Sequence, residues 1–316
     1  MLPEETEHVV MMAGCAPSVH NTQPWRFTST FDGVLVQRDR TRQLGVIDPD
    51  GRELLISCGA AVHHLQVAAR AIGVDSDATI DVHGDVVASV RLTRGSPATT
   101  SEIAKAVAIL HRHTHRGRFS DEAVSALDLD AVHLATEAEG GLLRVVHADE
   151  ITDVEVTVSR AERALQKLPG YADELARWVW HGVPDATRGD GLPQAALDHD
   201  PARGDSLEGR AFDGAQPRSS EPPVAEHPTL LLLSTPFDTP AEHVQAGRAL
   251  SALLLRATEL GLLAQPIGQV LDLPASRFAL SRVLGTLGAP QMLLRIGHGT
   301  SVPATPRRPV ADVLTP

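Results

Sequence analysis

Residues 16–27 read Ala-Pro-Ser-Val-His-Asn-Thr-Gln-Pro-Trp-Arg-Phe, and five of them carry polar side chains enclosed between two prolines. These polar residues are Ser18, His20, Asn21, Thr22 and Gln23. Because Pro17 and Pro24 disfavour helix and sheet on either side, we expect a rigid polar loop. An Asn or Gln amide presents donors and an acceptor in one plane, which suits the edge of a heterocycle that alternates carbonyl oxygens with N–H groups. The other interpretation is that Asn21 and Gln23 close a turn or cap the following strand, as such residues commonly do in loops.

The composition limits the kinds of protein that this chain can be. Its 316 residues suffice for one large domain or two ordinary ones with a buried core. Aromatic residues make up only 3% of the chain, so Ala, Leu and Val have to fill the interior, which favours helices packed against a sheet. The net charge of -12 argues against binding to nucleic acid or to an anionic membrane, because such binding depends on Lys and Arg.

The cysteines and the N-terminus bear on the compartment. Cys15 and Cys58 are too few for a disulfide framework, and unpaired thiols suit a reducing compartment. Residues 1–12 are acidic, and no apolar run approaches the roughly eighteen residues of a membrane span. We therefore expect a cytoplasmic protein with no membrane partner. We interpret Cys15 as a small core residue, because no His and Asp partnership beside it is evident.

Residue patterns predict a mixed succession of helices and strands. The predicted helices cover residues 4–13, 53–72, 101–111, 150–167, 171–180 and 275–284, with a further helix capped by Ser120. The predicted strands cover residues 25–28, 33–36, 79–83, 86–93, 142–147, 229–234 and 291–296. Residues 182–228 are rich in Gly, Pro, Asp and Ser and lack periodicity, so we expect a lid, a binding loop or disorder there.

One residue pattern occurs twice, 188 positions apart. The matching pairs are Gly59 with Gly247, Ala61 with Ala249, Leu65 with Leu253, Ala69 with Ala257 and Gly73 with Gly261. From Ala61 onward the matches trace one stripe of a helix that ends at a glycine cap. The small residues of this stripe would let two helix backbones approach closely. The pattern indicates an internal duplication; the alternative is a chance match between two Ala-rich helices.

Two arginine clusters stand out against the acidic background. One contains Arg112, Arg116 and Arg118, and the other contains Arg307 and Arg308. Planar guanidinium groups bind two oxygens of a phosphomonoester at once, so both clusters could hold one phosphate. The alternative is a solvated basic surface paired with carboxylates.

Other chemistries find less support in the sequence. His111, His113 and His115 alternate, but we predict no metal site there, because the flanking arginines raise the cost of a cation and no Cys or carboxylate completes a ligand set. The chain has neither a Gly-x-Gly-x-x-Gly motif after a strand nor a Gly-Lys-Ser/Thr loop, which argues against a Rossmann dinucleotide site and a P-loop.

The pattern Ala-Pro-Ser-x-x-Asn-x-Gln-Pro-Trp-x-Phe of residues 16–27 resembles the flavin-contacting signature of the nitroreductase family. The chain most resembles the Acg-like branch, in which two nitroreductase-type halves lie in one chain. The resemblance implies an α+β fold whose two pseudo-symmetric halves mimic a nitroreductase homodimer. Residues 1–110 would form the first half and residues 111–316 the second, with residues 182–228 inserted as a lid or loop. Such a chain would be a monomer or a weak dimer.

The resemblance also implies one flavin mononucleotide (FMN) per chain. Residues 112–116 resemble the opening that contacts the FMN phosphate, and residues 307–309 resemble the family's C-terminal Arg-Arg-Pro. The loop at residues 266–268 matches the segment that presents backbone near the flavin N5. His115 stands where this branch usually has Asn, so we assign it no flavin contact. The expected cofactor-binding residues are Pro17, Ser18, Val19, His20, Asn21, Gln23, Arg112, His113, Thr114, Arg116, Pro266, Ile267, Gly268, Gln269, Arg307 and Arg308.

Two functions are compatible with this resemblance. The first is an oxidoreductase in which NADPH or NADH reduces the flavin, and a nitroaromatic, a quinone or a similar small acceptor is reduced in turn. No catalytic acid or base is then required of the side chains. The second is a flavin-binding or flavin-sequestering protein with little turnover, whose inserted segment at residues 182–228 covers the flavin.

Overall fold

Two long helices lie at the centre of the fold. The computed structural model describes residues 2–180, 189–197, 207, 226–286, 288–301 and 303–315. The helices are α1 (Pro3–Ala13), α2 (Arg52–Ala71), α3 (Thr100–His111), α4 (Ala126–Ala138), α5 (Ile151–Leu165), α6 (Tyr171–Trp178), α7 (Pro240–Glu259), α8 (Gln269–Asp272) and α9 (Pro274–Leu284). The central pair is α2 and α7, which have the same length and begin and end 188 positions apart.

The caps of the two central helices explain why these residues form helix. The side chain of Asp48 stabilises the start of α2. Its two carboxylate oxygens accept the backbone N–H groups of Glu53 at 3.0 Å and Leu54 at 2.9 Å. Thr239 begins α7 by accepting the N–H of Glu242 at 3.3 Å. Gly73 and Gly261 follow the C-terminal ends, each with a φ of +74°, a backbone conformation that glycine adopts without strain.

The central helices cross at a contact between backbones. A Cβ atom on Gly59 would overlap the carbonyl oxygen of Val244, and one on Gly247 would overlap that of Ile56. One turn further on, Nδ1 of His63 lies 2.8 Å from Oγ of Ser251, and these two residues are 188 positions apart in the sequence. The crossing is therefore close to two-fold symmetric, which supports the prediction of two duplicated halves.

Two sheets flank this helix pair. The strands are β1 (Trp25–Ser29), β2 (Gly33–Arg38), β3 (Val74–His83), β4 (Val86–Arg94), β5 (Leu142–Val145), β6 (Val179–Trp180), β7 (Leu192–Pro193), β8 (Thr229–Thr235), β9 (Leu263–Pro266), β10 (Ala289–Gly297) and β11 (Leu314–Thr315). The first sheet has the order β11-β1-β2-β4-β3, and the second has the order β5-β8-β10-β9. β11 pairs with β1 in parallel, at Phe27 with Leu314, so the C-terminus is fastened to the first sheet.

The cores lie between the sheets and the helices. Trp25 and Phe27 are fully buried on the α2 side of the first sheet, and the second sheet presents an almost unbroken apolar run, Leu230 to Leu233, to its helices. As the composition predicts, Ala, Leu and Val supply most of the buried side chains. None of the described helices combines the length and the apolar character that crossing a membrane requires.

Three boundaries differ from the predictions. Ser125 caps α4 by accepting the N–H of Asp128 at 3.1 Å, so the predicted cap at Ser120 is wrong. The Ser120 backbone is occupied by hydrogen bonds with His298 and His227, which keep it extended. The helix predicted for residues 171–180 ends at Trp178, because Val179 and Trp180 form a strand with β7. β3 begins at Val74, five residues before its predicted start.

We expect Gly59→Ala to destabilise the protein by about 2 kcal/mol or more, because its Cβ atom would overlap backbone that cannot rotate away. Urea unfolding of the two proteins measures this difference. Gly45→Ala is the matched control, since the nearest atom to its Cβ would be 3.9 Å away, in the Glu174 carboxylate. Equal stability of both variants would show that the helices do not depend on this backbone contact.

Candidate functional site

A partly enclosed cavity lies where the two central helices meet the polar loop. It contains about 900 Å³ of empty space, a figure that includes its open mouth. Among the residues expected to bind a cofactor, those that line it are Pro17, Ser18, Val19, His20, Thr114, Arg116, Pro266, Gly268 and Gln269. The structure thus brings together three segments that are far apart in the sequence.

Six further lining residues were not expected from the sequence. They are Glu53, Ile56, Ser57, Leu250, Gln265 and Met292. They lie on α2, on α7 and on neighbouring strands of the second sheet, and no linear motif marks them. Only the spacing of Glu53, Ile56 and Ser57 on one face of a helix could have drawn attention to them.

The polar loop has an unusual backbone. His20, Asn21 and Gln23 have φ values of 46°, 55° and 48°, the left-handed region that non-glycine residues seldom occupy. The hydroxyl of Ser18 accepts the N–H of Gln23 at 3.0 Å and closes the turn. The N–H of Val19 donates to Oγ of Ser57 at 3.3 Å and joins the loop to α2. The turn presents residues 17–20 to the cavity.

The side chains of Asn21 and Gln23 do not line the cavity. The Asn21 amide contacts Gly191, Pro306 and Arg307, and the Gln23 amide contacts Gly189 and Arg308. Both amides are therefore engaged within the protein. This geometry favours the turn-closing interpretation of these residues over contact with a heterocycle edge.

Arg112, which is buried, and Arg307, which is half-buried, form a cationic pair beside this loop. Both guanidinium groups donate to the carbonyl oxygen of Cys15, at 3.4 Å and 3.3 Å. Burial, reinforced by repulsion from Arg307, lowers the pKa of Arg112 to about 9, and burial also lowers the pKa of Arg307. Within the described parts of the chain, Nε of each arginine is buried without a hydrogen-bond partner. Two cations so close together form a site that an anion would stabilise.

The other predicted contacts lie around this pair. Arg116 lines the main cavity, and its burial lowers its pKa to about 10. Arg112 and His113 line a neighbouring cavity of about 590 Å³, in which Nε2 of His113 lies 3.1 Å from Oγ of Ser301. A backbone bridge joins Thr114, which lines the main cavity, to Ala264, which lines the neighbouring one.

Three expected residues have other surroundings. Arg308 donates to the carbonyl oxygens of Gln23 at 3.2 Å and Asp312 at 2.9 Å. Ile267 is fully buried in the core beneath the second sheet. The sequence groups Arg118 with the possible phosphate ligands. In the structure its Nε atom lies 3.7 Å from the Glu226 carboxylate, with which it forms an ion pair. These side chains stand apart from the main cavity.

The predicted lid at residues 182–228 is described only in part. Residues 182–188, 198–206 and 208–225 lie outside the described residues, so the prediction that they cover the site remains a prediction. At the described beginning, Trp180 donates to the carbonyl oxygen of Asp190 at 3.2 Å, and Arg42 forms an ion pair with Asp190. At the described end, Glu226 forms a buried ion pair with Arg295 at 2.8 Å.

A group of charged residues closes the floor of the main cavity. Glu53 is 5% exposed and forms an ion pair with Arg52, which also donates to the carbonyl oxygen of Gln291 at 2.9 Å. Asp48 lies beneath them. Burial, and secondly the nearby Glu53 carboxylate, raises the pKa of Asp48 to about 7.

Comparisons with known proteins agree with this architecture. The Nitroreductase family model matches residues 109–298. The chain belongs to the nitroreductase family.

A Mycobacterium tuberculosis protein named "Putative NAD(P)H nitroreductase Rv3131" is 32% identical over 98% of this chain and 91% of its own. From the same organism, "Putative NAD(P)H nitroreductase acg" is 30% identical over 96% of this chain and 93% of its own. A nitroreductase with bound FMN from Desulfitobacterium hafniense aligns with a TM-score of 0.41 at 17% identity, over 67% of this chain and 97% of that chain.

These findings confirm the predicted nitroreductase family, its Acg-like branch and the α+β fold. The division into two halves stays a prediction. The nitroreductase match begins at residue 109, close to the predicted boundary at residue 111, and this supports it.

We expect the contribution of Asp48 to the free energy of unfolding to decrease as the pH rises from about 4 to 7, against the opposite contribution of His63 and His64, whose pKa values burial lowers. The raised pKa of Asp48 in the folded protein means that the unfolded chain ionises first, so the stabilisation is complete below about pH 4 and is lost as the pH passes 7. Three pH units correspond to at most roughly 4 kcal/mol. Urea unfolding of the wild type and of Asp48→Asn at pH 4.5 and 7.5 isolates this contribution as the difference between the two proteins.

Asp48→Asn should remove most of this pH dependence, because it removes the titrating group. Asp50→Asn, which removes an exposed carboxylate two residues away, serves as the control and should keep the wild-type dependence. An unchanged slope in Asp48→Asn would assign the pH dependence to another group.

Proposed function

We propose that this nitroreductase-family protein binds one FMN and transfers electrons from NADPH or NADH to a nitroaromatic, a quinone or a similar small acceptor. The family membership supports flavin-dependent redox chemistry. The names of the two mycobacterial relatives, both called NAD(P)H nitroreductases, support the choice of electron donor. The acceptor class follows from the resemblance of the sequence to the family.

The cationic pair of the buried Arg112 and the half-buried Arg307 is the observation that carries this proposal. Holding two guanidinium groups beside each other with little water around them is costly unless an anion compensates their charge. A phosphomonoester carries a charge of about -1.5 to -2 and accepts several hydrogen bonds, so it matches both the charge and the unused Nε donors. The residues present therefore fit the phosphate group of FMN.

The walls of the main cavity fit a planar heterocycle. Pro17, Val19 and Pro266 offer apolar surface, and Ser18 and Gln265 offer hydrogen-bonding groups. At Gly268, no described atom lies within 4 Å of the place where a Cβ would stand, so open space reaches the backbone there. A ligand can thus approach this backbone directly.

The role of this chain is to hold the cofactor and to control access to it. A bound flavin would supply the redox chemistry by accepting a hydride and passing two electrons to the acceptor. Arg112 and Arg307 would fix the phosphate, and Arg116 would place a positive charge at the cavity wall. The loop at residues 17–20 would exclude water from one side of the ring. No side chain has to move a proton in this proposal.

We expect Arg112→Met to weaken FMN binding roughly ten- to a hundred-fold, the effect of losing one charge-assisted hydrogen bond. Riboflavin, which has no phosphate, should bind almost as before. Fluorescence titration of the flavin-free protein with both ligands measures the two dissociation constants. Arg91→Met, on the exposed side of β4, is the matched control, and Arg308→Ala tests whether the neighbouring arginine contributes. Equal losses for FMN and riboflavin would assign Arg112 a structural role.

The ratio of flavin to protein tests the single site. We expect one equivalent of FMN per chain by absorbance after denaturation, because the arginine cluster opens only the second predicted half. Two equivalents would contradict the single site, and none after reconstitution would contradict flavin binding.

Anaerobic addition of NADPH or NADH tests the electron transfer. Bleaching of the flavin absorbance, followed by reoxidation on adding a quinone or a nitroaromatic, is the expected result. Stable flavin binding with no bleaching by either nicotinamide would instead support the sequestering function.

A further inference from the structure

The side chains of Asn21 and Gln23 join three segments of the chain. Nδ2 of Asn21 donates to the carbonyl oxygens of Gly191 at 2.9 Å and Pro306 at 3.0 Å, and its Oδ1 accepts from Nη1 of Arg307 at 3.1 Å. Nε2 of Gln23 donates to the carbonyl oxygen of Gly189 at 2.7 Å. Its Oε1 accepts the backbone N–H of Arg308 at 2.9 Å. Each amide thus uses both of its ends to hold other parts of the chain.

We propose that Asn21 and Gln23 are positioning residues, which hold the cavity loop in its left-handed conformation by fastening it to residues 189–191 and 306–308. We call these contacts the loop clamp. Through the loop clamp, the start of the inserted segment and the C-terminal segment are coupled to the wall of the cavity. For its cofactor measurements, this inference rests on the proposed function.

The conformation of the loop requires such a clamp. Left-handed backbone at non-glycine residues is unfavourable and persists only where the surroundings enforce it. Here the two residues whose amides form the loop clamp have φ values of 55° and 48°, and the third left-handed residue, His20, directly precedes them and lines the cavity. Releasing the amides would let this part of the backbone relax. The residues that face the cavity would then move with it.

The two fastened segments also pack against each other. A Cβ atom on Gly189 would lie 2.7 Å from the carbonyl oxygen of Arg307 and 2.8 Å from the Cα of Arg308, which leaves no space for a side chain. The N–H of Gly191 donates to the carbonyl oxygen of Asn21 at 3.2 Å and adds a backbone link. The loop, the insert and the C-terminal segment therefore form one layer on the outer side of the cavity.

Conservative variants can release the two segments separately. Gln23→Glu keeps an oxygen that accepts the N–H of Arg308 but loses the donor to Gly189. Asn21→Asp keeps the acceptor for Arg307 but loses both donors, to Gly191 and Pro306. Gln37→Glu is the matched control for the added charge, because its retained oxygen can still accept from the Thr28 hydroxyl in the first sheet.

Amide hydrogen exchange of the flavin-free protein is the first measurement. In Gln23→Glu we expect exchange at Gly191 to accelerate about tenfold or more, while the N–H of Arg308 stays protected. Gln23→Ala should accelerate both. Gly189→Ala, which forces the layer apart without altering the loop, should accelerate exchange at Gly191 and Arg308 as well. Gln37→Glu should leave both amides as in the wild type.

Flavin dissociation is the second measurement. Because the loop clamp acts through the backbone, its release should accelerate the dissociation of FMN and of riboflavin by similar factors, about tenfold. Altered flavin binding with unchanged exchange at Gly191 and Arg308 would overturn the inference, since it would mean direct contact with the flavin. Faster exchange throughout the protein would also overturn it, since the residues would then serve general stability. If the wild-type protein bound no flavin but the variants showed the expected changes in hydrogen exchange, the loop clamp would be supported and the proposed function would be contradicted.

Discussion

The helix crossing at Gly59 and Gly247, where each glycine lies against the backbone of the opposite helix, is the constraint on which the rest of the structure depends. It fixes how closely α2 and α7 approach, because any side chain at either position would overlap the opposite helix. The cavity lies directly beside this crossing: Ile56 and Ser57 come from one turn of α2, and Leu250 comes from the turn of α7 that follows Gly247. A wider separation would pull the two walls apart. The same contact between the two helices therefore sets both the packing of the core and the width of the cavity.

The second organising feature is a concentration of positive charge inside an acidic protein. The net charge is -12, yet Arg112 is buried and Arg116 and Arg307 are half-buried near the cavity, where burial lowers the pKa of all three. Charges buried in this way act strongly over short distances, because the surrounding medium screens them poorly. These arginines would favour an anionic ligand group at the proposed site, although the net charge of the chain disfavours polyanions.

Much of the fold could be predicted, because its strongest signals are periodic. The helix predicted at residues 53–72 is found at Arg52–Ala71, and the pattern of small residues predicted its close approach to a second helix. The errors occur where the same residue type is compatible with two different backbone conformations. Ser120 and Ser125 are both suitable caps, and only the pairing of Ser120 with strands far away in the sequence decides between them.

The site could be predicted only in part, for a related reason. Short motifs pointed to the loop at residues 17–20, to Thr114 and Arg116, and to residues 266–269, and side chains from each of these line the cavity. Glu53 and Met292 line the same cavity from a helix and a strand, where nothing in the local sequence distinguishes them from core residues. Apart from the carbonyl oxygen of Asn21, which accepts from the Gln23 amide, the partners of the Asn21 and Gln23 side chains are likewise more than 160 residues away in the sequence. These hydrogen bonds therefore depend on the tertiary fold.

The pseudo-symmetry of the central helices also shows where the predicted halves differ. On α2, Glu53 and Ser57 face the cavity. The residues 188 positions later, at the start of α7, are Ala241 and Gln245, and Gln245 donates to the carbonyl oxygen of Glu139 instead of facing a cavity. The glycines recur at equivalent positions of both helices, whereas the polar residues that face the cavity on α2 do not recur on α7. This asymmetry is consistent with the single cofactor site that we propose.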